Sequence, residues 1–514
     1  MLLLAAATAW AGNPPGAAGG RAGAAFGPAL PPPAPATRPV PAKGVPLDDA
    51  IAACVEDGMA ANGAPGAAVA VLLDGAVIFE GGFGEKRRGG GDPVDAGSVF
   101  RIGSISKQMT AAAVMRLAER GALDLHDPVT RALPELQFAV AGQADAVTLW
   151  HLLTHTSGIP DTYRVTDPLA PMTLEEWLPH MIGLEPFAPP GAFWNYSNPN
   201  FSLLGLVVER ASGSPYPEFM AREIWEPAGM AHTTLDPAAV MAWGDYTFGH
   251  DRFPFTGDEA ILAPDAYDSA AIAPAGGVFS TAPDLVRWAG LLMDGGGGVL
   301  RPASAREMQA PHVPTLYAPD LRYGYGIFSR RFEGLDVREH DGSIRGWGAS
   351  LVWYAPRRFA VAVLTNTTVP LSGAAWCITD AVLHPGGETP APPPPDPAAW
   401  RRFEGRYGAV QVDGERFESA VNLRGDRLWI TFTRPSDPSF RYTTTLEPYG
   451  YDTFLMDGDG DGTADLDITF VTPGPGPGPV HWFRNRYLVG TRRGAVRRPD
   501  APRPRPALRP APAP

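Results

Sequence analysis

Hydrophobic alternation marks out the two ends of one large folded region. Residues 67–84, AAVAVLLDGAVIFEGGFG, are two β-type runs on either side of Asp74-Gly75, a dipeptide suited to the positive φ angles of a two-residue hairpin turn. Residues 349–365, ASLVWYAPRRFAVAVLT, form a second such pair with a turn at 355–358. The segments between are mostly helical or irregular in pattern, so the simplest arrangement is a sheet built from both ends with a helical insertion. Helices flank that sheet: one begins near Asp48 with Leu47, Ile51, Cys54 and Val55 on a stripe, another near Gly373 with Ala374, Cys377, Ile378 and Ala381.

Within the insertion, FRIGSISKQMTAAAVMRLAERGAL (100–123) predicts a helix that is apolar on most sides and ends at Gly121. Ser104 and Lys107 are three apart, so they share a face, whereas Ser106 and Lys107 diverge. A lysine at the mouth of a buried helix is partly desolvated, which lowers its pKa, and a neutral amine near a hydroxyl is a general base. The competing reading is a helix-capping serine followed by a surface lysine.

Composition frames these elements. At 514 residues, 45% hydrophobic and 19% charged, the chain has the make-up of a soluble globular protein with two or three domains. A net charge of -13 argues against a nucleic-acid partner, and no later segment reads as a transmembrane span. Residues 1–11, MLLLAAATAWA, resemble a signal peptide without a basic n-region, which points to a secreted or periplasmic protein. Residues 12–45 are a Pro/Gly/Ala linker and 386–399 a Pro-rich one. They delimit a large domain at 46–385 and a small one at 400–491, followed by a Pro/Arg tail at 492–514 whose basic charge could touch an anionic cell envelope.

Two further patterns bear on Ser104. Tyr196-Ser197-Asn198 precedes an apolar helix over 201–209, and His340-Asp341-Gly342 precedes the closing hairpin. In this order, Ser-x-x-Lys, Tyr-x-Asn and Lys/His-x-Gly resemble the active-site motifs of the serine β-lactamase and penicillin-binding-protein superfamily. The resemblance covers nearly all of the large domain, including LLTHTSGIP (152–160), PAGGVFSTAPDLVRW (274–288) and YGYGIF (323–328), and is to the class C β-lactamase and esterase branch. It implies an α/β (α+β) fold: a sandwich of antiparallel sheet and flanking helices with a helical insertion, then a small all-β, lipocalin-like domain.

The resemblance also assigns roles. It makes Ser104 the nucleophile, Lys107 its base, Tyr196 an acid/base relay, Asn198 a substrate-orienting amide and His340 an electrophilic partner on the far wall. The amides of Ser104 and Ser343, next to Gly342, would form the oxyanion hole. A Ser-His-Asp reading is poorer, because no Gly-x-Ser-x-Gly elbow encloses Ser104 and His155 lies outside the catalytic motifs. The departure from the β-lactamase pattern is His340-Asp341, where lysine and a hydroxyl residue help hold the antibiotic's carboxylate. Asp341 is expected to repel such a group unless Arg345 neutralises it.

These features imply a serine hydrolase for a small ester, amide or peptide, most simply an esterase or D-amino-acid amidase/peptidase, with no cofactor required. The alternatives are a β-lactamase or DD-carboxypeptidase, a penicillin or peptidoglycan sensor that acylates without turnover, and a silent binding module. The terminal helices pack side by side in this fold, leaving a Cys54–Cys377 disulfide and two buried thiols both open. In the small domain, DGDGDGTADLD spaces Asp457, Asp459, Asp461 and Asp465 like a calcium loop, but the twelfth position is Ile468 rather than glutamate. A structural calcium site and a solvated acidic turn are both compatible with it.

Overall fold

The computed structural model describes residues 46–162, 172–252, 259–266, 269–318, 320–385, 396–457, 466–472 and 480–493. The first hairpin forms where the alternation places it: β1 (Gly66–Leu73) and β2 (Ala76–Gly84) pair antiparallel. Asp74 and Gly75 both take positive φ, 52° and 86°, matching the twist of the strands they join. Six more strands follow in the same sheet: β3 (Val313–Pro314), β4 (Arg322–Tyr323), β5 (Phe328–Phe332), β6 (Leu335–Ile344), β7 (Trp347–Tyr354) and β8 (Phe359–Thr365). Their order is β2-β1-β8-β7-β6-β5-β4-β3. The first strand therefore lies beside the last, in a register running from Ala67–Thr365 to Leu72–Ala360.

Side chains alternate across each strand, so this sheet buries both faces. Five helices matter for what it carries: α1 (Leu47–Asn62), α2 (Ser106–Glu119), α3 (Asn198–Ser212), α4 (Ala282–Met293) and α5 (Ser372–Leu383). Val69, Val71, Val361 and Val363 pack with Ile51, Val55 and Ile378 of α1 and α5. Ala68, Ala70, Ala360 and Ala362 belong to the opposite core with α2, α3 and α4. The small side chains on that inner face let α4 lie close against β1 and β8. On the outer side Cys54 and Cys377 form a disulfide, with Cα atoms 5.8 Å apart, which settles the two possibilities the sequence left open.

The C-terminal region is a closed antiparallel barrel of eight strands: β9 (Gly405–Gln411), β10 (Arg416–Arg424), β11 (Arg427–Arg434), β12 (Asp437–Gly450), β13 (Thr453–Met456), β14 (Leu466–Val471), β15 (Trp482–Arg484) and β16 (Leu488–Arg492). Closure leaves no unpaired edge. Tyr407, Phe417, Phe432, Phe454, Phe470 and Phe483 are buried in its core. Arg492, assigned from sequence to the tail, is the last residue of β16.

Candidate active site

The segment entering α2 is a single 3-10 turn, Gly103–Ile105, docked against β6. Two glycines permit the contact. A Cβ on Gly342 would lie 1.9 Å from the Ile102 carbonyl oxygen and 3.2 Å from the Ser104 amide nitrogen. A Cβ on Gly103, whose φ is 50°, would lie 2.5 Å from the Ser343 amide nitrogen. The amides of Ser104 and Ser343 are thus brought together by a backbone-to-backbone approach that no side chain could survive.

Ser104 is partly buried, and Lys107 behind it is wholly buried. Lys107 Nζ lies 3.0 Å from Ser104 Oγ, 2.7 Å from Asn198 Oδ1 and 2.6 Å from the Ala275 carbonyl oxygen. Burial holds the Lys107 pKa well below its ordinary value, reinforced by the positive charge of Arg486 and opposed by Asp161. A neutral amine has two N–H bonds and one lone pair. Asn198 and Ala275 accept the two hydrogens, which leaves the lone pair for the Ser104 hydroxyl. Asn198, expected to orient substrate, holds this lysine.

Tyr196 lies in the extended run before α3, and its hydroxyl donates to Ser104 Oγ at 2.8 Å. Burial raises its pKa, so the phenol rests protonated. The run is fixed by His155, which has an unusual φ of 54°. His155 Nδ1 accepts from the Ser197 amide at 3.2 Å and faces Asn200 Nδ2 at 3.1 Å, while its ring lies 4.3 Å from that of Tyr196. Structural support, not chemistry, is what this geometry offers at His155. Asp161 follows the same LLTHTSGIP segment and accepts from the Asn198 amide at 2.7 Å.

His340 faces the inner side of the sheet and is fully buried. Burial, with the nearby Lys107, pushes its pKa down to about 3. Its Nδ1 donates to the Asp341 carbonyl oxygen at 2.6 Å, which leaves Nε2 an acceptor, 3.4 Å from the Tyr323 hydroxyl. A neutral imidazole in this tautomer is a polar wall rather than a cation.

The expectation for Asp341 fails, and strand alternation is the reason. Asp341 is the next residue along β6, so it points to the opposite face from His340. Its carboxylate accepts from Ser350 Oγ and from Ser372 Oγ at the start of α5, both at 2.7 Å. It cannot flank the substrate there. Arg345 does not neutralise it either, since Arg345 pairs with Asp251 at 2.7 Å. The hydroxyl of Ser343 donates to the Thr368 carbonyl oxygen at 2.7 Å, so its side chain is engaged there, while its amide lies against Gly103.

Several residues that complete the site escaped the sequence reading. The Ala275 carbonyl and Tyr323 sit in PAGG and YGYG, segments quoted for their resemblance, but nothing local marks them as neighbours of Lys107 and His340. Arg486 comes from the barrel, 325 residues from its partner Asp161, and no pattern in the sequence connects them. Of the proposed calcium loop only Asp457 is described; Asp459, Asp461 and Asp465 lie outside the described residues. Among the described residues no cluster of three acidic, His or Cys side chains could hold a metal. No described helix is long and apolar enough to cross a membrane.

Comparison with known proteins identifies the family. Residues 51–380 match the family model described as Beta-lactamase. Penicillin-binding protein 4 of Amycolatopsis lactamdurans is 29% identical over 316 residues, covering 60% of this chain and 82% of the relative. Esterase EstB of Burkholderia gladioli is 28% identical over 358 residues, covering 62% and 89%. Among solved structures, SurE superposes with a TM-score of 0.66 at 26% identity, covering 87% of this chain and 99% of that one. That likeness extends beyond the family-matched region. An octameric penicillin-binding protein homologue from Pyrococcus abyssi shares the fold with a TM-score of 0.59 at 24% identity, covering 86% of this chain and 99% of that one. A match spanning well over half of the chain, over the same strands and helices that gather Ser104, Lys107 and Tyr196, places this enzyme among the serine hydrolases: the chain belongs to the Beta-lactamase family.

Proposed function

We propose that this enzyme hydrolyses esters or amides of small acyl groups, including D-amino-acid derivatives, through an acyl-enzyme on Ser104. The observation that carries the proposal is the pair of contacts on Ser104 Oγ, from Lys107 Nζ at 3.0 Å and Tyr196 OH at 2.8 Å. Neutral Lys107 takes the hydroxyl proton as Oγ attacks the substrate carbonyl carbon. The carbonyl oxygen gains the negative charge and is held by the Ser104 and Ser343 amides. As the tetrahedral intermediate collapses, the proton passes through Tyr196 to the departing alcohol or amine. Water then repeats the sequence on the acyl-enzyme and frees the acid.

A preference for esters and amides over β-lactams is supported by His340. In the family's β-lactamases a lysine stands in its place; here the wall is neutral and offers no charge to an anionic substrate. Relatives and neighbours named as an esterase and as a D-stereospecific amidohydrolase point the same way. The penicillin-binding relatives support a second reading, covalent capture of a β-lactam with slow release. The Cys54–Cys377 disulfide supports residence in an oxidising compartment.

The test is a panel of p-nitrophenyl esters, D-amino-acid anilides and nitrocefin, followed by intact-mass detection of the adduct. Turnover of ester or anilide with the adduct mapped to Ser104, and none with Ser104→Ala, is expected. Labelling that survives in the alanine variant removes the reading. A single stoichiometric burst with nitrocefin and no ester turnover replaces it with the covalent-capture alternative.

A further inference from the structure

The barrel meets the hydrolase domain beside the Ser104 site, not at a distance from it. Between β15 and β16 the chain reverses at Asn485, whose side-chain oxygen accepts from the amides of Tyr487 at 2.8 Å and Leu488 at 2.7 Å, a side-chain-stabilised turn. Two arginines enter the large domain from it. Arg484 is fully buried and donates to the Thr315 carbonyl oxygen at 2.7 Å and to Asn195 Oδ1 at 3.3 Å. Arg486 forms an ion pair with Asp161, their side chains only 13% and 4% exposed. Its guanidinium carbon stands 4.9 Å from the centre of the Tyr196 ring. Lys107 Nζ stands 4.8 Å from the same ring.

We propose that the barrel is a working part of the active site: Arg486 is a positioning residue whose charge keeps the Lys107–Tyr196 pair in the proton-poor state that activates Ser104, with Asp161 as its counterweight. The proposal rests on the hydrolase reading of Ser104. A nearby cation disfavours protonation of an amine and favours ionisation of a phenol, so both effects run in one direction; an anion reverses both. Burial is the largest influence on the pair, lowering Lys107 and raising Tyr196. Over that, Arg486 lowers both groups and Asp161 raises both.

The other titratable groups facing Tyr196 do not duplicate this. His155 and His340 are held neutral, both chiefly by burial. Burial also raises the phenols of Tyr323 and Tyr487, the latter to about 12. Arg486 and Asp161 are then the charged groups that act on Tyr196 and Lys107 from outside the pair, among the described residues. One comes from each domain.

The experiment measures the rate of Ser104 acylation by a fluorophosphonate in the full chain as a function of pH. Loss of the Arg486 charge raises the pKa of the pair, so Arg486→Gln moves the acid limb of the profile to higher pH by about one unit. Arg486→Lys, which keeps the charge, restores it. Asp161→Asn keeps an acceptor for the Asn198 amide but removes the anion, and moves the limb to lower pH. If Arg486→Gln labels more slowly at every pH with the limb unmoved, Arg486 is a structural plug and the proposal falls. It falls equally if Asp161→Asn moves the limb upward. A wild-type chain that does not label at any pH overturns the hydrolase reading and this proposal together, whereas labelling with an unshifted limb overturns this one alone.

Discussion

Ser104 and Lys107 show how much a single side chain depends on what surrounds it. The lysine is protonated in water, yet in this setting complete burial, with the charge of Arg486 nearby, favours its neutral form, and two carbonyl oxygens accept its hydrogens. A neighbouring residue on β6 shows the same physics as a liability. Glu339 is pushed up from 4.5 to about 7, first by burial and then by Asp341, against the pull of Arg330. A raised carboxylate contributes stability that is whole below its unfolded pKa and is lost as pH rises through its folded one. The wild type therefore loses stability between about pH 5 and about pH 8, and Glu339→Gln removes that part of the loss. In melting experiments the variant's advantage grows with pH; a constant difference would mean that Glu339 is already ionised in the fold.

At the scale of elements, the site depends on how closely β6 and the turn before α2 approach. Gly342→Ala places a methyl group where the Ile102 carbonyl oxygen now lies, 1.9 Å from the new atom. Backbone must shift, at a cost of about 3 kcal/mol, and the shift separates the Ser104 and Ser343 amides. The expected result is a lower melting temperature together with a loss of acylation rate larger than any loss of substrate affinity. An unimpaired rate in a destabilised protein would show that the Ser343 amide takes no part. On the other side of the sheet α1 and α5 are tied by a disulfide that spans 323 residues, and in the chain-entropy picture so long a loop gives about 6 kcal/mol.

Over the whole molecule, the barrel is seated by buried arginines rather than only tethered by proline-rich chain. Arg484 carries this seat: it fills a polar slot between Thr315 and Asn195 and lies over the rings of Trp194 and Tyr317, 5.2 Å and 4.9 Å from their centres. Arg484→Met removes the charge and strands the Thr315 carbonyl oxygen, an effect of about 3 kcal/mol on docking. Calorimetry is expected to show the barrel's transition separating from that of the hydrolase domain and falling to lower temperature. A single transition at the wild-type midpoint would show that the arginine does not couple the domains.

Much of this was legible in the residues themselves. Asp74-Gly75 between β-type runs marks a hairpin because so few dipeptides tolerate two positive φ angles. The spacing of Ser104 and Lys107 brings them onto one face because the 3-10 turn runs straight into α2 and three residues make about one turn of either. Motif order then linked Tyr196 and His340 to them across long stretches of chain. Local pattern could not say which way a side chain points once strands are paired. The reading of Asp341 as a gate treated neighbours in sequence as neighbours in space, and the pleat sent it to the far face. It also could not place Arg486 against Asp161, because a contact between the turn of a barrel and the mouth of a helix leaves no periodicity in either. Sequence alone determined the two hairpins, the flanking helices, the family resemblance and the candidate nucleophile, since these follow from short-range geometry and residue chemistry. Tertiary structure alone decided the charge on Lys107 and His340, the face of Asp341 and the entry of the barrel into the site, since each depends on burial and on partners hundreds of residues away.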